Sequence, residues 1–159
     1  MARFEENSNM EINTRDFGIV QIEEDAIYDF PEGIYGFEED TCFAIFEKFF
    51  DGVPFLYLQS VRNLIPCFLL FEPEYFYPGY TPLLSEEDLA ACETESGKDL
   101  VFLVIANVPE SIEEMSFNIK SPVVLNPKTK KGRQVILQNT DYTVRYQPFL
   151  KKEKGGASC

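Results

Sequence analysis

The chain has 159 residues, with 27 acids against 14 bases, no histidine and a formal charge of −13. That length suits about one domain, which buries roughly two-thirds of its unfolded surface and needs no disulfide or metal staple. Lack of histidine excludes Ser-His-Asp and Cys-His nucleophile activation, and the anionic surface disfavours phosphate backbones and favours basic protein partners.

The opening, "MARFEENSNMEIN", has no apolar core to act as a secretory signal. Residues 18–23, "GIVQIE", and 26–30, "AIYDF", read as strands around the acidic turn Glu24-Asp25. The punctuated "FPEGIYGFEED" (30–40) reads as a loop with special backbone angles at its glycines. "CFAIFEKF" (42–49) alternates, "FDG" turns the chain, and "PFLYLQS" (54–60) returns as the next strand. "PCFLLFE" (66–72) is continuously apolar, the pattern of a strand buried on both faces. The longest apolar stretch, about Leu64 to Phe71, is far short of the roughly 18 residues of a membrane span, so a cytoplasmic location without membrane contact is expected.

An irregular aromatic stretch follows, "PEYFYPGYTPLL" (73–84), and leads into the one helix signal, "SEEDLAACE" (85–93). Ser85 suits the N-cap, Asp88 completes a weak capping box, and Glu86 and Glu87 suit the positive helix start. "LVFLVIANV" (100–108) is the strongest strand pattern, residues 115–119 re-enter the sheet, and "DYTVRYQPF" (141–149) reads as a last strand. Between them "SPVVLNPKTKKGRQVIL" (121–137) reads as a hairpin in which Gly132 takes a positive φ. Nine to eleven short strands and one helix predict an all-β, mostly antiparallel β-barrel-like single domain over 1–150 with a short helical insertion, then a flexible tail over 151–159.

The cysteines at 42, 67, 92 and 159 include no C-x-x-C pair, and read as free thiols. No cofactor or metal is expected. Charge is split: residues 1–119 hold 25 acids against 5 bases, while 120–159 hold 9 bases against 2 acids. The hairpin tip with Lys128, Lys130, Lys131 and Arg133 fits a solvated turn, a protein contact or, least well, a nucleic-acid contact; no phosphate-loop spacing is present. The acidic clusters at 23–25, 38–40 and 86–88 fit a solvated face, a docking surface for a basic partner, or a pair of catalytic carboxylates. Tyr75, Phe76, Tyr77 and Tyr80 beside Glu72 and Glu74 fit either loop packing or an acid-rimmed hot spot for a protein, since stacking platforms for single strands interleave aromatics with Lys or Arg.

Three stretches, "FPEGIYGFEED" (30–40), "PFLYLQSV" (54–61) and "NIKSPVVLNPKTKKGRQVIL" (118–137), resemble the signature blocks of the FliW flagellar assembly factors. "VPE" (108–110) fits as well, and the resemblance covers roughly residues 11–146. Its marks are Phe30, Pro31, Gly33, Gly36 and Phe37 in the first block and Asn118, Pro122, Asn126, Gly132 and Gln134 in the third, with Ser121 where the family usually has Ala. The resemblance implies a cytoplasmic, non-enzymatic β-barrel-like protein that binds newly made flagellin and the translational regulator CsrA in alternation, protecting flagellin and relieving repression of its mRNA. On that reading Tyr75, Phe76, Tyr77 and Tyr80 are the candidate flagellin contacts. Glu72, Glu74, Glu86, Glu87 and Asp88 are the candidate CsrA contacts, and the signature residues are family marks that are architectural or ligand-binding. A monomer without direct nucleic-acid contact is expected when no partner is bound. The rival reading is an OB-like or split-barrel module holding a nucleotide, a flavin or single-stranded nucleic acid.

Overall fold

Aromatic and β-branched residues at alternating positions favour the pleated, half-buried surface of a sheet, and ten strands form among the described residues. The computed structural model describes residues 9–150; the tail expected over 151–159, with Cys159, lies outside them. In chain order the elements are β1 (Asn9–Thr14), β2 (Gly18–Glu23), β3 (Ile27–Asp29), β4 (Cys42–Phe50), β5 (Val53–Ser60) and β6 (Cys67–Phe71). The helix α1 (Glu86–Ala91) then precedes β7 (Val101–Asn107), β8 (Ser116–Phe117), β9 (Val123–Asn126) and β10 (Lys131–Gln134). Round the main sheet the order is β6, β5, β4, β3, β10, β9 and β7, and β7 pairs back onto β6, closing a seven-stranded barrel. Neighbours are antiparallel except at the β3–β10 seam, which is parallel and has the single register pair Asp29–Lys131. The expected all-β, mostly antiparallel barrel with one short helix is the observed class.

Strand alternation sorts most of the apolar residues into two large cores, with a third, small one beneath the β1–β2 hairpin. Phe30, Phe43, Leu58, Leu70, Leu103, Val123 and Leu125 share one cluster. On the other face of β7 and β9, Val104 and Val124 join Tyr80, Phe117, Ile119, Leu137 and Tyr142 in the second. Burial on both faces therefore falls on β9, all four of whose residues are buried, and not on the 66–72 segment, where Phe68, Leu69 and Phe71 are only half-buried. The difference is what covers the outer face: the 73–100 segment and the chain after β10 lie over β7 and β9.

Other expectations change or narrow. β1 appears in a stretch the sequence left unassigned, and β2 pairs with β1 along its whole length instead of with β3. The hairpin β1–β2 packs Ile12 and Ile22 on Ala44 of β4. Residues 115–119 supply only the two-residue β8, and residues 141–149 form no strand, only the single bridge Phe117–Tyr146. In the β9–β10 turn the positive φ belongs to Lys130, at 60°, and Gly132 has none. α1 starts as expected, with the Ser85 hydroxyl accepting from the Asp88 amide, but the Asp88 carboxylate turns to Arg133.

Candidate functional site

The seam between β3 and β10 is where the signature residues gather. Phe30 is fully buried and meets Phe43 edge-on at 5.1 Å. Gly132 lies against the Phe30 ring, where a Cβ would stand 2.3 Å from Cζ. Gly33 has φ +68°, and a Cβ there would come within 2.6 Å of the Glu38 Cα. The Gln134 side chain accepts from the Tyr35 amide at 3.0 Å and donates to the Ser121 carbonyl at 3.0 Å, tying the loop after β3 to the hairpin. Asn126 donates to the Cys92 carbonyl at 2.7 Å and accepts from the Lys128 amide at 3.0 Å, so it holds both α1's exit and the finger's turn. Asn118 accepts from the Ser121 amide, and the Pro122 carbonyl accepts from the Val135 amide. Phe37 packs edge-on against Phe68, Gly36 supplies a positive φ, and Pro31 is exposed at the loop's start. Apart from Pro31, these marks are engaged with the chain itself.

The cationic finger is neutralised in the same way. Lys131 pairs with Asp29 at 3.0 Å, and its hydrogen bond to that carboxylate raises its pKa. Arg133 reaches Glu32 and Asp88, each at 3.4 Å. Lys130 sits 5.0 Å over the Tyr28 ring. A phosphate grip would need these charges free and convergent, and three of the four are committed to the protein. That removes the main support for a nucleic-acid or nucleotide module.

The aromatic stretch divides. A single 3-10 turn over Pro73–Tyr75 swings Tyr75 out, 78% exposed. Phe76 stacks on Phe117 with ring centroids 3.8 Å apart. Tyr77 and Tyr80 turn toward Tyr142, and the buried Tyr80 hydroxyl donates to the Ile119 carbonyl at 2.8 Å. Burial pushes the Tyr80 phenol well above its ordinary pKa. Tyr75 and Phe76 thus form one side of an open apolar groove of about 590 Å³. Val53, Pro54 and Phe55 of β5 and Leu69 and Phe71 of β6 form a second side. Val108, Ile112, Met115, Phe117 and Phe149 complete it. Cavities that hold ligands fall in this size range, and this one offers almost only carbon. Among the described residues no group of His, Cys, Asp or Glu is arranged to hold a metal ion, and no helix is long and apolar enough to cross a membrane.

An acidic face adjoins the groove. Glu72 and Glu74 flank a concavity that includes Pro82 and Phe102, and the next one along shares Pro82 and Phe102 and reaches Leu89 of α1. Glu86 and Glu87 are exposed at the start of α1, whereas Asp88 is largely covered and held by Arg133. The structure brings Glu72 and Glu74 beside Tyr80, and Glu72 beside Tyr75, while Glu86 and Glu87 are exposed on α1, whose Leu89 lines the adjoining concavity.

A family model described as FliW protein matches residues 11–148. The chain belongs to the FliW family. It is 37% identical over 149 residues to the flagellar assembly factor FliW of Thermoanaerobacter pseudethanolicus, covering 94% of this chain and 99% of that protein. Identity to the flagellar assembly factor FliW of Caldanaerobacter subterraneus subsp. tengcongensis is 40% over 150 residues, with the same coverage, 94% and 99%. A crystal structure of the flagellar assembly factor FliW is similar at a TM-score of 0.79 and 31% identity, covering 90% of this chain and 99% of that one. In this FliW family member, groove residues beyond the 73–84 stretch are not marked by the sequence: Val53 and Phe55 in β5 and Val108 and Ile112 after β7 come from two separate parts of the chain and converge only on folding. The one local signal was apolar residues at strand ends and in loops, where burial is not expected.

Proposed function

We propose that this FliW family member acts in the cytoplasm by binding alone, holding flagellin in the apolar groove against Tyr75 and Phe76 and holding CsrA on the acidic face of Glu72, Glu74, Glu86 and Glu87. The observation that carries this reading is the groove itself, whose lining has no charged residue and whose Val53, Tyr75, Val108, Ile112 and Phe149 are all exposed, the pattern of an interaction surface. An amphipathic segment of a subunit that would otherwise polymerise is a fitting occupant. CsrA has to be cationic where it grips RNA, and an acidic face attracts such a protein. Glu72 borders both surfaces, so a partner on either one covers it, which supports binding in alternation.

Calorimetric titration with purified flagellin and purified CsrA tests the reading. Tyr75→Ala with Phe55→Ala should abolish flagellin binding while the thermal midpoint stays within a few degrees. Glu86→Lys with Glu87→Lys should weaken CsrA binding at low salt and have little effect at high salt. Preloading with flagellin should block CsrA. Full flagellin affinity in the first variant, or simultaneous saturation by both proteins, would sink it.

A further inference from the structure

The twelve residues lining the groove carry no charge, but one end opens into a small cleft that shares Pro54, Phe71 and Tyr75 with it and is bordered by Glu47 and Glu72. Glu47 shares a row of β4 with Phe43 and Ile45, and its register partner is Leu56. That row leaves the core toward the end of the strand, where Glu47 and Phe49 are both exposed, so the Glu47 carboxylate stands in solvent at the border of the cleft. Neither Glu47 nor Glu72 joins any of the side-chain ion pairs among the described residues, and no base lines the cleft or the groove. The neighbouring cation, Lys48, lies over Phe17 at 5.2 Å.

We propose that the groove's occupant is an amphipathic helix whose apolar stripe ends in a lysine or arginine, and that Glu47 and Glu72 receive that cation. This rests on the reading of the groove as the flagellin site and adds to it the charge that the segment carries beside its apolar stripe. Apolar contact along a carbon-lined trough supplies affinity but selects no charge. Two carboxylates where the cleft meets the groove, with no base lining either, favour a cation at that point over an apolar or acidic group.

The test uses the full chain, monomeric flagellin, and two synthetic helical peptides with leucines at i, i+3, i+4 and i+7, one ending in lysine and one in norleucine. Glu47→Gln with Glu72→Gln should weaken flagellin binding about three- to tenfold at low salt, an effect that shrinks toward none at high salt. The unaltered protein should prefer the lysine peptide, and the double variant should lose that preference. Equal binding of the two peptides marks a plain apolar site and overturns the proposal, as does concentration-dependent self-association that occupies the groove. Unchanged flagellin affinity in the double variant, with binding lost in Tyr75→Ala/Phe55→Ala, overturns the cation pairing alone. Retention in both variants removes the groove reading beneath it.

Discussion

At Gly132 the missing Cβ would stand 2.3 Å from Cζ of Phe30, a ring that is fully buried and braced by Phe43. Alanine in a strand is ordinarily favoured over glycine by roughly 0.5–1 kcal/mol, while forcing an extra methyl into a filled core costs about 1–3 kcal/mol. Overpacking should win. Gly132→Ala is expected to lower the urea midpoint with an unchanged slope, and combining it with Phe30→Leu should cost less than the two changes summed. A stabilised Gly132→Ala would show that the ring has room to move. Here the sequence misleads for a physical reason. The local pattern offers turn geometry as the use of this glycine, and its real neighbour is remote along the chain. Ser85 is the opposite case, because a helix cap is made by residues three apart and can be read directly.

Among elements, the informative joint is between α1 and β10. A six-residue helix has little stability of its own, and Arg133 links it to the finger through Asp88, with the exposed Glu32 as a second acceptor. Arg133→Ala should destabilise the protein by about 1–3 kcal/mol, since it leaves a mostly covered carboxylate without its charged partner. In double-mutant cycles the coupling to Asp88 should exceed that to Glu32, which is largely in water; equal couplings would argue that burial is irrelevant here. Strands β4, β5 and β7 were legible because their aromatic and branched residues serve the sheet. Residues 141–149 have the same composition, but Tyr142 and Tyr146 spend it on stacking with Tyr80 and Phe76. β1 escaped notice because only Met10 and Ile12 mark it as apolar, and its pairing partner carries the clearer pattern.

For the molecule as a whole, charge and class were visible in composition, while the groove was not, being assembled from separate segments around one end of the sheet. Burial also sets the response to alkali. Cys42, Cys67, Cys92, Tyr57 and Tyr80 are all pushed up mainly by desolvation, Cys67 to about 11 from 9.0. Each is favoured in its neutral form when folded, so its contribution is complete below the unfolded pKa and is lost as pH climbs through the folded one. Unfolding free energy should therefore fall between pH 9 and 11, and Cys67→Ala should flatten that fall; a level profile would contradict it. The one-pair junction of β3 with β10 carries a wider implication. A cylinder whose two borders are stitched by a single rung depends on side chains for its closure, so alteration of Gln134 or Gly33 acts on whether the ring shuts at all and reaches every strand at once.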